Sequence, residues 1–157
     1  MHQMINLTFI NRIFSLTTIF CFLLIIYGCS NKKEEILITD NWVRSTPPGE
    51  TVGAAYLTMK SNRDLTLVSI DSPAADSIEI HSMIMENGIM KMRQMDNLNL
   101  KAGESVKLEP NGFHLMLFDL KHPLVSGQNV TFNLHFKDPQ GKIINESISS
   151  PISDSKE

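Results

Sequence analysis

Turn-forming residues punctuate this chain at intervals that leave room only for short strands. Pro47-Pro48-Gly49, Ser72-Pro73, Asn87-Gly88, Pro110-Asn111-Gly112 and Pro139-Gln140-Gly141 fall between runs rich in Val, Ile, Thr, Leu and Phe. Such breaks end any helical period before it is established. The pattern predicts strands at 36–39, 54–60, 65–70, 77–85, 89–95, 105–108, 114–118, 129–136 and 143–147. Many short strands at this rhythm argue for an all-β fold, a Greek-key sandwich or barrel in a single domain. No internal repeat is visible.

Asn87-Gly88 is the most informative of these turns. Asn-Gly between two strand runs favours a two-residue type I′ hairpin, in which both turn residues take positive φ. The register follows: Glu86 faces Ile89, Met85 faces Met90, Ile84 faces Lys91 and Met83 faces Met92. Strand alternation then puts Glu79, His81, Met83 and Met85 on one face, with Met90 and Met92 as cross-strand partners on that same face. Ile78, Ile80 and Ile84 take the other face, the expected core side. Downstream, His114 and Met116 are two residues apart and also share a face, opposite Leu115 and Leu117.

The ends bound where the protein works. Residues 13–28 carry no charge and are mostly Ile, Leu and Phe. That stretch suits the apolar part of a secretory signal better than a membrane span, which needs about 20 residues. Ile26-Tyr27-Gly28-Cys29 resembles a bacterial lipobox, so residues 1–28 read as a lipoprotein-type signal and Cys29 as the lipidated N-terminus. A plainly cleaved signal or an uncleaved anchor is the alternative. Residues 29–35 would then be the lipidated Cys and a polar tether, 36–149 the folded domain, and 150–157 a frayed polar tail. The expected location is the periplasm or cell envelope, with membrane contact only through the lipid, and the expected form is a monomer.

Composition excludes several classes. Removing Arg12 leaves 13 of the 14 Lys and Arg against 17 Asp and Glu, a net charge of −4 for the exported part. No basic stripe interleaves with aromatics, so nucleic-acid binding is not expected. The two cysteines are Cys21 and Cys29, which leaves the folded part without a thiol and without a disulfide framework or a thiolate ligand. No Ser/His/Asp set, phosphate loop or paired carboxylates in a catalytic setting stands out, and the chain does not read as an enzyme.

Five methionines, Met83, Met85, Met90, Met92 and Met95, fall within thirteen residues. Lone buried methionines fill cores, as expected of Met59, but this density beside histidines exceeds what filling requires. Thioether sulfur is soft and neutral, and imidazole is borderline. A site built from both, without thiolate or carboxylate, selects Cu(I) over Zn(II), Mg(II) or Ca(II). His122 and His135 lie outside the cluster and read as surface or satisfied core histidines. Trp42 reads as core, and Arg44 and Arg93 as solvated strand positions.

These residues resemble the periplasmic copper chaperones of the PCuAC family. Their signature is His, ten residues, Met, twenty-one residues, His, one residue, Met; here it falls on His81, Met92, His114 and Met116. Flanking segments agree, among them Asn41-Trp42-Val43-Arg44, Ala54-Ala55-Tyr56-Leu57 and Lys91-Met92-Arg93, and the likeness spans roughly residues 36–137. The resemblance implies a cupredoxin-like β-sandwich holding Cu(I) near its surface through those four side chains, with Met83 as an auxiliary ligand. It also implies delivery of copper toward the copper A site of cytochrome c oxidase, alongside Sco-type thiol proteins. Some relatives carry a His- and Met-rich tail that binds Cu(II); residues 149–157 hold neither residue type, so no such second site is expected. Three rivals stand beside this reading. An electron-transfer cupredoxin would need a Cys ligand. A copper-sequestering or resistance lipoprotein would buffer Cu(I) without a dedicated acceptor. An adaptor lipoprotein would bind no metal.

Overall fold

The computed structural model describes residues 36–155, and the expected signal, Cys29 and tether lie outside the described residues. Ten strands form: β1 Ile36–Arg44, β2 Val52–Ser61, β3 Leu65–Asp71, β4 Ala75–Glu86, β5 Ile89–Met95, β6 Leu98–Leu100, β7 Ser105–Leu108, β8 Phe113–Leu120, β9 Asn129–Lys137 and β10 Ile143–Ser153. There is no helix among the described residues. The strands follow one another in the order β5-β4-β8-β7-β2-β1-β10-β9-β3-β6. Neighbours such as β4 and β8, or β3 and β9, are far apart in sequence, as a Greek-key sandwich requires.

Residues from β1, β2, β4 and β8 and residues from β3, β6, β9 and β10 enter one core cluster. Alternation decides which side chains do so. Leu115 and Leu117 of β8 point inward, as do Phe132, Leu134 and Phe136 of β9, and all five are essentially inaccessible to solvent. Every second residue of these strands therefore faces the other layer. The intervening ones, His114 and Met116 included, belong to the opposite face of β8.

Two expectations need correction. The chain does not stop being ordered at residue 149: β10 continues to Ser153, with residues 143–151 paired to β9 and Ile152 and Ser153 paired in parallel with Val43 and Arg44 of β1. Ile152 is buried in the core. This stretch closes the sandwich, so residues 150–153 are part of a strand rather than a frayed end. Ile84, expected on the core side, is 37% exposed. The face is the right one, but β8 begins at Phe113, opposite Ser82, so beyond Ser82 the β4–β5 ribbon runs past the body and its inner face meets no partner layer.

On the outer side of the second layer His135 is not an isolated surface histidine. Its Nε2 lies 2.6 Å from the Asp71 carboxylate and its Nδ1 2.8 Å from the Asn145 side-chain oxygen. The Asp71 bond, then the Asn145 bond, holds the imidazole above its ordinary pKa. The bonds from His135, then Asn133, hold the Asp71 carboxyl below its own. The charged pair thus stabilises the fold between about pH 4 and about pH 6.5, the two unperturbed values. The His135 contribution is lost as pH rises through its raised value, and the Asp71 contribution as pH falls through its lowered one. A His135→Val variant is expected to melt below the parent by the widest margin near pH 5–6, with the gap closing above about pH 8. The pair is exposed, so the margin stays below about 1 kcal/mol. A gap that is constant from about pH 5 to pH 9 in paired melts would refute this account.

Candidate metal centre

The Asn87-Gly88 turn fixes the register of one half of the site. Both residues have positive φ, 53° and 77°, the type I′ geometry. Met83 pairs with Met92, Met85 with Met90, Ile84 with Lys91 and Glu86 with Ile89, as the turn predicts. The β4–β8 ladder fixes the other half: His81 pairs with His114, and Glu79 with Met116.

The two histidines therefore stand directly opposite each other on adjacent strands, their ring centroids 5.9 Å apart. They are held differently. His114 is buried, with 7% of its surface exposed, and its Nδ1 lies 3.1 Å from the Gly112 carbonyl. Donation from Nδ1–H leaves the Nε2 lone pair free. His81 Nε2 lies 2.8 Å from a Glu79 carboxylate oxygen, and donation from Nε2–H leaves the Nδ1 lone pair free. That Nδ1 is buried and has no hydrogen-bond partner. A buried acceptor without a donor is unfavourable by about 1–3 kcal/mol, which an electron-pair acceptor at that nitrogen would relieve. Each ring thus has one nitrogen tied to an oxygen and one left as a donor, the arrangement that orients imidazole toward a metal.

The thioethers are less evenly placed. Met116 is two residues from His114 on the same face, diagonal to His81. Met83 follows His81 on β4. Met92 sits opposite Met83, diagonal to His81, at about 7–8 Å between such positions. From His114, however, it is two strand spacings away, about 10 Å, plus one step along the strand. Met92 is also 49% exposed. The structure brings His81, His114, Met116 and Met83 into one neighbourhood and leaves Met92 on its rim. Phe118, with its ring centroid 6.2 Å from that of His81, forms the apolar side of the site.

Sequence reasoning assigned no role to Glu79, Gly112 or Phe118. Two-residue alternation from His81 and His114 could have found all three, because each lies on the same face two or four positions away. Among the described residues no three of His, Cys, Asp and Glu converge in a way that could hold a metal ion. Trp42 is buried outside the main core cluster. It packs on Tyr56 at 4.6 Å between ring centroids and lies under the Arg44 guanidinium at 6.0 Å, a cation–π stack apart from the histidines.

Fold and site define an all-β sandwich with an imidazole pair and a field of thioethers on one outer face. The LpqE-like family model, described as "Putative lipoprotein LpqE-like", matches residues 36–145, and this chain belongs to that family. It is 30% identical over 134 residues to "Uncharacterized protein RP573" of Rickettsia prowazekii (strain Madrid E), covering 77% of this chain and 74% of the other. It is 27% identical over 139 residues to "Putative lipoprotein Lxx21020" of Leifsonia xyli subsp. xyli, covering 81% and 84%. Among solved structures it is similar to the copper-bound PCuAC domain from PmoF2, with a TM-score of 0.61 and 21% identity over 77% of this chain and 94% of that one. It is similar as well to the solution structure of CuI-DR1885 from Deinococcus radiodurans, with a TM-score of 0.51 and 26% identity over 79% and 83%. The fold is that of the PCuAC domains.

Proposed function

We propose that this domain is an extracytoplasmic carrier of Cu(I), bound by His81, Met92, His114 and Met116 with Met83 as an auxiliary donor. The observation that carries the proposal is the facing histidine pair, in which each ring keeps one unshared nitrogen and one of those nitrogens is a buried orphan. Neutral thioethers around two imidazoles favour a soft monovalent ion. The copper-bound state of the PmoF2 domain and the Cu(I) state of DR1885 support the choice of metal.

Two neutral imidazoles and two thioethers around Cu(I) leave one positive charge. Glu79 supplies a negative charge beside it through the His81 ring, so Glu79 acts as a positioning group and a counter-ion rather than as a ligand. Protons compete with the metal for imidazole but not for thioether, so acid loosens only half of the donor set. Thiolate acceptors bind Cu(I) more strongly than thioethers, and release is then downhill by ligand-by-ligand exchange at the exposed Met92 side. In this reading the acceptor is the copper A domain of cytochrome c oxidase or a Sco-type thiol protein. The domain is tethered to the cell envelope through lipidated Cys29, the lipoprotein description of the family supporting that tether.

Titration of anaerobic apo-protein with Cu(I), read by X-ray absorption, tests the site. The expected first shell contains two nitrogens and two sulfurs. A shell of nitrogen and oxygen only, or no binding, would overturn the assignment. Mixing the loaded protein with an apo copper A domain then separates a donor from a buffer: copper moves to the acceptor in the first case and stays in the second.

A further inference from the structure

The ribbon formed by β4 and β5 beyond Ser82 is an arm with two unlike faces. Glu86, Lys91 and Arg93 share one face, where the Glu86 carboxylate receives Lys91 at 2.9 Å and Arg93 at 3.0 Å. The opposite face carries Met83, Met85, Met90 and Met92 and no charged residue of the arm. Their register is two consecutive directly opposed pairs, Met83 with Met92 and Met85 with Met90. Met85 is 64% exposed, Met90 43% and Met92 49%. Such surface is unfavourable in water at roughly 25 cal/mol per Å² of apolar area, and cross-strand packing of Leu or Val would have filled the positions equally well. Only the thioethers offer lone pairs.

We propose that this arm carries a second site for a soft monovalent ion, Cu(I) or its redox-silent analogue Ag(I), made by the sulfurs of Met83, Met85, Met90 and Met92 alone. Opposed Cβ atoms in such a ribbon are about 5 Å apart, and successive pairs about 7 Å. Side chains with three rotatable bonds bring four sulfurs from such a rectangle to a common centre. The donors are neutral and soft, so hard divalent ions are excluded. The site stands one register step outside the imidazole pair and shares Met92 and Met83 with it. An ion held on the arm is therefore already in contact with donors of the inner site. The proposal does not rest on the imidazole site, because its four donors remain when both histidines are removed.

The test uses the full chain carrying His81→Ala and His114→Ala, labelled at the methionine methyl carbons and titrated with Ag(I). The methyl resonances of Met83, Met85, Met90 and Met92 are expected to shift together and saturate at one equivalent, while that of the core residue Met59 stays in place. Adding Met85→Leu and Met90→Leu is expected to weaken Ag(I) binding at least about tenfold, the lower end of what losing even an outer-shell partner does. These are exposed, near-isosteric changes that leave the hairpin register intact. Absence of a concerted shift, or an affinity unchanged by the two leucines, overturns the proposal. Metal retention by a Met85→Leu/Met90→Leu protein with both histidines intact reports on the imidazole site separately, so failure of one reading is distinguishable from failure of the other.

Discussion

Replacing His114 with alanine is expected to release Cu(I) to a chelator that leaves the parent protein loaded. His114 is the most constrained of the four proposed donors. Its ring is buried and its Nδ1 is fixed by the Gly112 carbonyl, so the Nε2 lone pair is aimed before any ion arrives. The alternative donors are flexible thioethers, which cannot substitute without ordering a further side chain. Loss of an outer-shell partner typically weakens a metal site about 10–100-fold, and loss of this ligand should weaken it by at least the upper end of that range. Glu79→Gln gives the graded comparison: it keeps the hydrogen-bond acceptor for His81 Nε2 but removes the charge, and should weaken Cu(I) by no more than about 10–100-fold. Melting curves of the apo-proteins provide the control, because neither change disturbs a ladder hydrogen bond. Equal retention by His114→Ala and the parent would leave the imidazole pair without a role in binding.

The site was legible where its placement depends on strand alternation and a turn with known geometry. Asn87-Gly88 permits one register, and that register places Met83 against Met92. The facing of His81 and His114 was not legible in this way. It depends on β8 docking beside β4, which brings together two residues with more than thirty others between them, and local pattern carries no information about which distant strand becomes a neighbour. The family spacing supplied that link instead. Glu79 was visible on the correct face, but a carboxylate two residues from a histidine has no distinctive signal until the ring orientation is known.

Strand existence was legible for every element with an apolar alternation sustained over four residues or more, and the failures share one cause. β6, Leu98–Leu100, alternates apolar, polar, apolar, but at three residues it is too short for the alternation to mark a strand. β1 runs to Arg44 although Asp40 and Asn41 look like an ending. Asp40 takes φ 55° at a register shift between Thr39 and Trp42, so a bulge carries the chain past the polar pair. β10 runs through Pro151, which lacks an N–H and reads as a stop. Pro151 is the last residue paired with β9, and the next two pair with β1. The proline thus stands where the strand changes partners. In all three cases tertiary pairing overrides a local signal.

Deleting residues 150–157 is accordingly expected to cost much more stability than a polar tail should. The cut removes Ile152, buried at 4% exposure, and Ser150, at 2%. It strips the partner from Ser45 N, which donates to the Ser153 carbonyl at 3.0 Å, and from Gly127 N, which donates to that of Ile152 at 3.0 Å. It also removes the parallel pairing through which β1 and β10 join the two layers. A buried Ile contributes about 1.5–3 kcal/mol by transfer alone, and truncating such a side chain to Ala typically costs about 2–5 kcal/mol. With the lost pairing, the deletion should cost about 3–5 kcal/mol, a large share of a total that for domains of this kind is about 5–15 kcal/mol. The melting temperature should fall by roughly 10 °C or more. Ile152→Ala alone should reproduce about half of this or more, since burial rather than chain length is the cause. Cutting after Ser153 spares both the core residue and the parallel pair and should change stability by no more than about 0.5 kcal/mol. If the two truncations melt together, β10 does not close the sandwich, and the outer strands of the two layers are held by something other than this stretch.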